Sequence, residues 1–341
     1  MTNNNIKIFI GPVTKNVANA VIAINNQDSF KIGLIPSRRQ VEYNGGYVNN
    51  WTTKDFAAYI RKRSSLAVLQ RDHGGPGQGH KEDDGLDSLK EDTKYMDIIH
   101  IDPWKKYPKY EDGLRKTIEC LNFCHEENPN CCFEVGTEEA IKRFEPENLD
   151  KFLNDLKEKL PEKTFSKIVY AVIQSGTGLD LANQKNTGIF DPARLKKMIL
   201  VCKKYGLQSK EHNGDYLGAS GLAARFNLGL DAINIAPELG QVETDIYLNK
   251  LKNFPKTFFD EFYKVCYNSN RWKKWVSSDF DPEKEREKVI KISGHYVFSN
   301  AEFLKLKNKI LKKLKIDELT FDNNIKKEII NYIFKLNESA N

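Results

Sequence analysis

Two histidines, each with carboxylates and glycine close by in the chain, are the residues with the clearest capacity for chemistry. His73 lies in RDHGG (71–75), and His212 lies in EHNGD (211–215). Glu134 ends another apolar segment of the chain. Imidazole nitrogens and carboxylate oxygens are common ligands of zinc and of other divalent metals. These residues predict a divalent metal site, with zinc as the expected ion and His73, His212 and Glu134 as its ligands.

Asp72 precedes His73 directly, and this adjacency sets a geometric condition. Neighbouring residues on a strand point to opposite sides, so the two side chains can face one site only if the strand bends between them. Gly74 and Gly75 follow at once, and glycine allows the backbone to turn sharply. We therefore expect a bend at the end of this strand.

The elements that must position these residues are eight short apolar runs, most of them followed by a helix-like stretch. This alternation predicts a (β/α)8 TIM barrel, in which chemistry lies at the carboxyl ends of the strands. The runs are IKIFIG (6–11), FKIGLIP (30–36), SLAVLQRDHGG (65–75), DIIHID (97–102), CCFEVG (131–136), KIVYAVIQSG (167–176), LQSKEHNG (207–214) and DAINIAP (231–237). Polar residues at their ends are Asp72, His73, His100, Glu134, Gln174, His212 and Glu238.

The pattern changes after residue 252. Residues 1–252 carry the strand and helix units, whereas aromatic and charged helical segments fill 253–341. We expect a barrel followed by a C-terminal helical extension packed on it. His100 lies inside its run and is either core or site. The remaining histidines, which we expect to be structural, are His80, His125 and His295.

Composition limits the class of protein. The 341 residues include 53 basic and 47 acidic ones, and no apolar stretch approaches the roughly 18 residues that indicate a membrane span. The N-terminus lacks the features of a signal peptide, so a soluble, cytoplasmic protein is expected. The lysine-rich run 303–315 reads as the solvated face of a helix, and no nucleic-acid partner is expected. The six cysteines form no CxxC pair, and we expect reduced thiols.

Several motifs together resemble the tagatose-bisphosphate aldolase subunit family, the so-called non-catalytic subunits related to class II aldolases. They occur in that family's order along most of the chain. The motifs are RRQVEYNGGYVNNWTTKDF (38–56), RDHGGPG (71–77), IIHIDPW (98–104), EVGTEE (134–139), VIQSG (172–176), EHNGDYL (211–217) and INIAPELGQVET (233–244).

The resemblance implies a barrel that holds a phosphorylated sugar. In class II aldolases a divalent metal polarises a ketose phosphate carbonyl and stabilises the enediolate left by carbon–carbon cleavage. Carried onto this chain, Asp72 is the general acid/base, His73 and His212 are metal ligands, and Glu134 is a third ligand or a second catalytic acid/base. The residues that would orient substrate or line the pocket are Asn213, Gly214, Asp215, Asn234 and Glu238.

The chain also departs from the family pattern. Catalytic class II aldolases carry another histidine after the sixth strand, where Gln174 is the nearest candidate here. Arg38 and Arg39 stand where small polar residues are usual. Two forked cations at a strand end indicate either an added anionic group on the substrate, such as a second phosphate or a carboxylate, or a surface salt bridge.

Three functions remain open at this stage. The first is a metal-dependent sugar-phosphate lyase, and the second is an epimerase that uses the same retro-aldol chemistry and closes the bond with inverted configuration. The third is a non-catalytic partner of a separate aldolase subunit. Assembly into a homo-oligomer or with such a subunit is expected in each case. The long Gly-rich loop 74–92 is a candidate lid.

Overall fold

Eight parallel strands form a closed barrel, which confirms the predicted fold. The structure, a computed structural model, describes residues 6–27 and 30–338. The barrel strands are β1 (Ile8–Ile10), β2 (Ile32–Leu34), β3 (Gln70–Gly74), β4 (Ile98–Ile101), β5 (Cys132–Val135), β6 (Ile168–Ile173), β9 (Gln208–Glu211) and β10 (Ala232–Ile235). They pair in the order β2-β1-β10-β9-β6-β5-β4-β3, and parallel bridges from Leu34 to Leu69 and from Ser37 to Asp72 close the ring.

Helices follow most of the barrel strands and surround the barrel. They are α1 (Lys15–Asn25), α2 (Thr53–Arg61), α3 (Leu86–Tyr95), α4 (Tyr110–Glu127), α5 (Pro146–Lys159), α6 (Glu162–Phe165), α7 (Pro192–Lys204), α8 (Gly218–Asn227) and α9 (Pro237–Leu251). Helix α7 shows why the sequence folds as it does. The Asp191 carboxylate accepts from the amides of Ala193 and Arg194 at its start, and Gly206 adopts a φ of 73° just past its end, so both ends are capped.

The loop after β6 contains a feature that the sequence pattern does not predict. Strands β7 (Leu179–Asp180) and β8 (Lys185–Asn186) form a small antiparallel hairpin outside the barrel sheet. The Asn186 side-chain amide donates to the backbone oxygens of Asn213 and Asp215 at 2.8 and 2.9 Å. The hairpin thereby holds the loop that follows His212.

Four helices make up the chain after α9. They are α10 (Lys256–Asn268), α11 (Arg286–Val297), α12 (Ala301–Leu314) and α13 (Glu318–Glu338). The sequence places the end of the barrel at residue 252, between α9 and α10; residues 1–5 and 339–341 of the two expected domains lie outside the described ranges. Buried apolar residues of α10 to α13 join the same cluster as those around the barrel. None of the described helices has the length and apolar character needed to span a bilayer.

The barrel interior has two layers. Phe9, Ile98 and Tyr170 form an apolar layer near the amino ends of the strands. Above it lies a buried ion pair, in which Lys210 Nζ is 3.0 Å from Glu134 Oε2 and 3.5 Å from the ring centroid of Phe9. Because both charged groups are fully buried, each needs the other. This polar layer supports the carboxyl ends of the strands.

Candidate metal and substrate site

The end of β3 bends in the way that Asp72 and His73 require. The pairing of β3 with β4 shifts register between Arg71 and Gly74, and His73 itself has a φ of 44°. Such a bulge re-aims side chains at the rim of a barrel. As a result Asp72 Oδ1 lies 3.6 Å from His73 Nε2, and the two neighbours face the same site.

Carboxylates fix the ring orientation of His73 and His212. His73 Nδ1 is 2.6 Å from Asp102 Oδ2, and His212 Nε2 is 2.6 Å from Glu134 Oε1. Because a carboxylate only accepts, each of these ring nitrogens donates. This arrangement leaves His73 Nε2 and His212 Nδ1 for another partner. Histidines that bind metals commonly donate their other ring N–H to a carboxylate in this way.

His100, on β4, supplies a third imidazole. Its Nε2 lies 3.0 Å from the carbonyl oxygen of Gly136, to which it donates, and its Nδ1 accepts a long bond of 3.3 Å from the amide of His73. Burial lowers the pKa of His100 to about 4, so the ring is neutral near pH 7. A neutral imidazole is the form that binds metals.

The three rings converge with Asp72 on one point. Their centroids are 4.9 to 5.2 Å apart. One ligand atom from each of Asp72, His73, His100 and His212 lies within 4.8 Å of the others. Asp72 Oδ1 is buried and has no hydrogen-bond partner among the described residues. Three imidazole nitrogens and one carboxylate oxygen are ligand types that zinc prefers, so this group could hold a divalent metal.

Glu134 lies outside this group, which differs from its expected place among the ligands. Both of its oxygens are occupied: Oε1 by His212, and Oε2 by Gln70 Nε2 at 2.5 Å and by Lys210 Nζ at 3.0 Å. Burial alone would raise the pKa of Glu134, but Lys210 and the nearby histidines hold it well below its ordinary value. Glu134 is paired in register with His100 across β4 and β5, and its Oε1 orients His212.

Above the four residues opens a cleft with a volume of about 560 Å³. Most of the predicted substrate-contacting residues border it, namely Arg39, Asn213, Asp215 and Asn234. Neither amide atom of Asn234 has a hydrogen-bond partner among the described residues, although the side chain is only 7% exposed. Buried polar groups are normally satisfied. The bare amide of Asn234 therefore points to a ligand in the cleft.

Arg38 does not reach the cleft. Its guanidinium is 1% exposed and binds Glu42 at 2.7 Å, the carboxylate of Asp83 and the carbonyl oxygen of Gly75 at 2.8 Å. The paired-arginine prediction therefore separates into two roles, because Arg38 is buried in a salt bridge and Arg39 borders the cleft. Asp83 belongs to the loop expected as a lid, and Arg38 fastens that loop to the barrel.

Gln174 and Glu238 are also held away from the cleft lining. Gln174 accepts from the amide of residue 144 at 2.8 Å and donates to the carbonyl oxygens of residues 137 and 142 at 2.9 and 2.8 Å. Glu238 accepts from the amide of Tyr216 at 2.9 Å and from the hydroxyl of Tyr332 on α13. All of these polar atoms have partners, so the two side chains fasten a loop and the extension to the barrel.

The sequence reading missed residues of the extension that border the cleft. Arg271 and Lys274 lie on its wall, as does His295. Helix α10 stops at Asn268, and Asn270 adopts a φ of 55° before a 3-10 turn over Lys273–Trp275. This break interrupts the helical segments expected over 253–341, within the stretch RWKKW (271–275). Its dense basic and aromatic character was a signal, but nothing in the sequence indicated which part of the barrel it would meet.

Comparisons with known proteins support the fold. No protein-family model matches the chain, and no curated protein matches it. Among solved structures, a probable tagatose 6 phosphate kinase from Sinorhizobium meliloti 1021 aligns with a TM-score of 0.72 at 15% identity, covering 98% of this chain and 100% of that one. The fructuronate-tagaturonate epimerase UxaE from Cohnella laeviribosi aligns with a TM-score of 0.64 at 10% identity, covering 99% and 81%. The YdjI aldolase from Escherichia coli K12 gives 0.53 at 12% identity, covering 92% and 91%.

Proposed function

We propose that this chain is a metal-dependent lyase that breaks or forms a carbon–carbon bond in a ketose phosphate, in the manner of class II aldolases. One observation carries the proposal. Within the described residues, carboxylates bind one nitrogen of His73 and one of His212 and leave the other free, and His100 Nδ1 accepts only a long bond from the His73 amide. One ligand atom of each ring lies within 4.8 Å of the others and of Asp72, whose Oδ1 has no hydrogen-bond partner there. Structural histidines have no reason to converge in this way at the carboxyl end of a barrel, where such enzymes keep their catalytic residues.

The three histidines are the proposed metal ligands. A divalent ion held there, with zinc the first candidate, would polarise the substrate carbonyl and offset the negative charge that develops on its oxygen. Asp102 and Glu134 keep His73 and His212 in the required tautomers. This ligand set has His100 in place of the expected Glu134. Its third histidine comes from β4, whereas catalytic class II aldolases carry one after the sixth strand, where this chain has Gln174.

Asp72 is the proposed general base. Its Oδ1 lies 3.8 Å from His212 Nδ1 and 3.6 Å from His73 Nε2. A substrate bound to the proposed ion would therefore lie next to this carboxylate. In cleavage, Asp72 accepts the proton of the hydroxyl two carbons from the carbonyl carbon. The carbon–oxygen double bond of the aldehyde product then forms, the carbon–carbon bond breaks, and its electron pair moves toward the substrate carbonyl. Synthesis is the same step in reverse.

Three further side chains would orient the substrate. The amide of Asn234 can donate to one sugar oxygen and accept from another hydroxyl. Asn213 and Asp215 border the same cleft, although the Asn213 amide also donates to Glu138 Oε2. These contacts place hydroxyl-binding groups beside the proposed metal and base, as a sugar substrate requires.

The test is elemental analysis of the purified chain, followed by incubation with ketose phosphates with and without a chelator and mass-resolved detection of products. We expect near-stoichiometric metal, release of a triose phosphate, and loss of that activity with the chelator. Asp72→Asn should lower turnover by about 10²–10⁴-fold, the usual contribution of a general acid or base. Asp87→Asn, which removes an exposed carboxylate at the start of α3, is the matched control.

The same assay separates the alternatives. A product of unchanged mass in place of a triose would replace lyase by epimerase and keep the proposed metal site and base. A metal-free and inert chain would contradict both and favour the role of partner to a separate aldolase subunit.

A further inference from the structure

Five basic residues border the cleft, and we call four of them the cationic cluster: Arg39, Lys105, Arg271 and Lys274. The fifth is Lys273, whose ammonium lies over the ring of Trp272. Arg39 follows β2 and Lys105 follows β4, whereas Arg271 and Lys274 come from the break between α10 and α11. The basic side chains elsewhere in the chain commonly pair with carboxylates, as Arg38 does. Within residues 6–27 and 30–338, no ion pair joins a member of the cluster to a carboxylate.

The four charges are close enough to affect one another. Burial, and then the positive charges of Arg39, Arg271 and Lys105, lower the pKa of Lys274 to about 8. Burial first, and Arg39 second, also lower the pKa of Lys105. Like charges held together destabilise a fold unless an anion compensates them. The cluster is therefore arranged at a cost in stability that a bound anion would offset.

An independent observation at the same wall also points to a ligand. His295 on α11 is 2% exposed, and neither of its ring nitrogens has a hydrogen-bond partner among the described residues. Burial, with a smaller effect of Lys274, lowers the pKa of His295 to about 3, so the ring is neutral and has one N–H to donate. Its Cβ packs against α9, where a Cβ added to Gly240 would lie 2.7 Å away. The ring is thus held at the cleft with a free donor.

The charges in the cleft are distributed unevenly. Asp215 and the group of Asp72, His73, His100 and His212 lie toward the strand ends. The cationic cluster lies toward the loops and the extension. Glu138 also borders the cleft; it binds the side chain of Asn213 and counteracts part of the desolvation of Lys274. The carboxylate of Glu138 stands against the four cations of the cluster and Lys273, so this wall is positive.

We propose that the cationic cluster, with His295, binds the terminal phosphate of the substrate, at the end remote from the carbonyl that faces the histidine group. This inference rests on the proposed function and adds to it a substrate class, an open-chain sugar with a phosphate on its far end. It also gives the C-terminal extension a role, because Arg271, Lys274 and His295 supply three of the five groups. The extension then selects the substrate, and the barrel carries out the reaction.

A phosphate fits this wall better than a carboxylate does. A phosphate dianion offers three acceptor oxygens and up to two negative charges, whereas a carboxylate offers two oxygens and one charge. Two guanidinium groups, two ammonium groups and an imidazole provide more donors than a carboxylate can use. The number of donors and the net charge therefore both favour phosphate.

The test uses the purified full chain and two simple probes, inorganic phosphate and acetate, in isothermal titration. We expect phosphate to bind more tightly than acetate by at least about ten-fold. Arg271→Ala and Lys274→Ala should each weaken phosphate binding by about ten-fold, and the double variant by about 100-fold, since each removes a charge-assisted hydrogen bond. Lys284→Ala removes a charge of the extension that lies outside the cleft, with its side chain 84% exposed, and should leave binding unchanged.

A phosphate affinity in the double variant equal to that of the wild type would overturn the proposal, and so would equal affinity of the wild type for phosphate and acetate. Lys274 keeps part of its surface in solvent although the cleft wall desolvates its ammonium. Lys274→Ala alone therefore decides the matter if the Arg271 variant does not fold. Phosphate at the metal is common to wild type and variants and cancels in the comparison. The binding probes need no turnover, so the two proposals can fail separately. If the variants lose phosphate binding and the wild type releases no triose, the phosphate subsite is supported and the lyase activity is rejected.

Discussion

Both ends of the barrel carry a cavity, but among the described residues only the carboxyl end brings together a group that could hold a metal. The cavity at the amino ends of the strands is the larger, at about 780 Å³ against about 560 Å³ at the carboxyl ends. Phe9, Ile98 and Tyr170 line the amino-end cavity, whereas Asp72, His73 and His212 border the carboxyl-end cleft. The larger cavity is therefore not the better candidate for a ligand site. Polar groups that converge without hydrogen-bond partners are the more informative sign.

The two ends are joined by the buried pair of Glu134 and Lys210. Lys210 rests on the apolar layer through its contact with Phe9, and Glu134 reaches upward to His212. The Glu134–Lys210 pair thus lies beneath His212 at the carboxyl end, and apolar side chains fill the barrel at the amino end. Substitutions at the two ends should separate function from stability.

Removing a proposed ligand should produce the largest effect. His212→Ala should abolish stoichiometric metal uptake and lower turnover by at least about 10²-fold, because a ligand is lost while strand-end residues contribute little to the barrel core. Metal content by elemental analysis, with circular dichroism for the fold, measures both. Normal metal content and activity in this variant would remove His212 from the site.

Breaking the pair between the two ends should affect both properties. Glu134→Gln should lower the free energy of unfolding by about 3–5 kcal/mol, because it leaves the Lys210 ammonium buried without a counter-charge. It should also weaken metal binding by about 10–100-fold through the lost orientation of His212. Denaturant unfolding and metal titration are the two measurements.

The double variant Glu134→Gln with Lys210→Met separates these two effects. It should recover most of the lost stability, since no unpaired charge remains, and none of the lost metal affinity. Recovery of both together would show that Glu134 acts on the metal only through the stability of the fold.

The strand-end residues could be predicted from the sequence because apolar runs and glycines mark where strands stop. Asp72, His73 and His212 lie together as that pattern indicates, and the glycines after His73 foretold the bend. His100 was ambiguous because DIIHID is apolar on both sides of it, so the sequence does not show whether the ring faces the site or the core. Glu134 is level with His100 in the strand register, but its oxygens are occupied by His212, Gln70 and Lys210, and the sequence pattern does not show these partners.

Longer-range features were beyond sequence reasoning. Arg38 and Arg39 are adjacent and chemically alike, and only the position of Asp83, brought near by the loop after β3, assigns one to a salt bridge and the other to the cleft. Arg271 and Lys274 meet Arg39 across more than 200 positions of sequence, and that meeting depends on how α10 ends and packs. Local patterns carry no information about such contacts.

The pH dependence of stability should also come from the carboxyl end. Burial, and then the charge of Glu238, raise the pKa of Asp215 to about 7, above an unfolded-state value of about 3.9. A raised folded-state pKa stabilises fully below the unfolded value, and that contribution is lost as pH rises through the folded value. We expect Asp215 to lower the free energy of unfolding by about 3 kcal/mol between about pH 4 and pH 8.

Asp215→Asn should reduce that fall in stability. The variant keeps an oxygen to accept from the amides of Ala236 and Glu238, which lie 3.0 and 2.9 Å from Asp215 Oδ1. Urea unfolding of wild type and variant at about pH 5 and pH 8 gives the difference directly. An equal fall in both proteins would mean that Asp215 is not the group responsible.

A substitution at the amino end should have the smallest effect. Leu66 borders the larger cavity and is 47% exposed. Leu66→Ala should change the free energy of unfolding by no more than about 0.5 kcal/mol, as exposed sites usually do, and should leave metal content and turnover unchanged. A loss of turnover here would mean that the larger cavity takes part in function, and the contrast between the two ends would fail.

Anomalous diffraction from crystals of the metal-loaded chain tests the proposed centre most directly. We expect one ion per chain, about 2.0–2.1 Å from His73 Nε2, His100 Nδ1 and His212 Nδ1, as zinc–nitrogen coordination requires, with Glu134 bound to His212 and not to the ion. An ion ligated by Glu134 with His100 left free, or no ion between these three rings, would contradict the proposed centre.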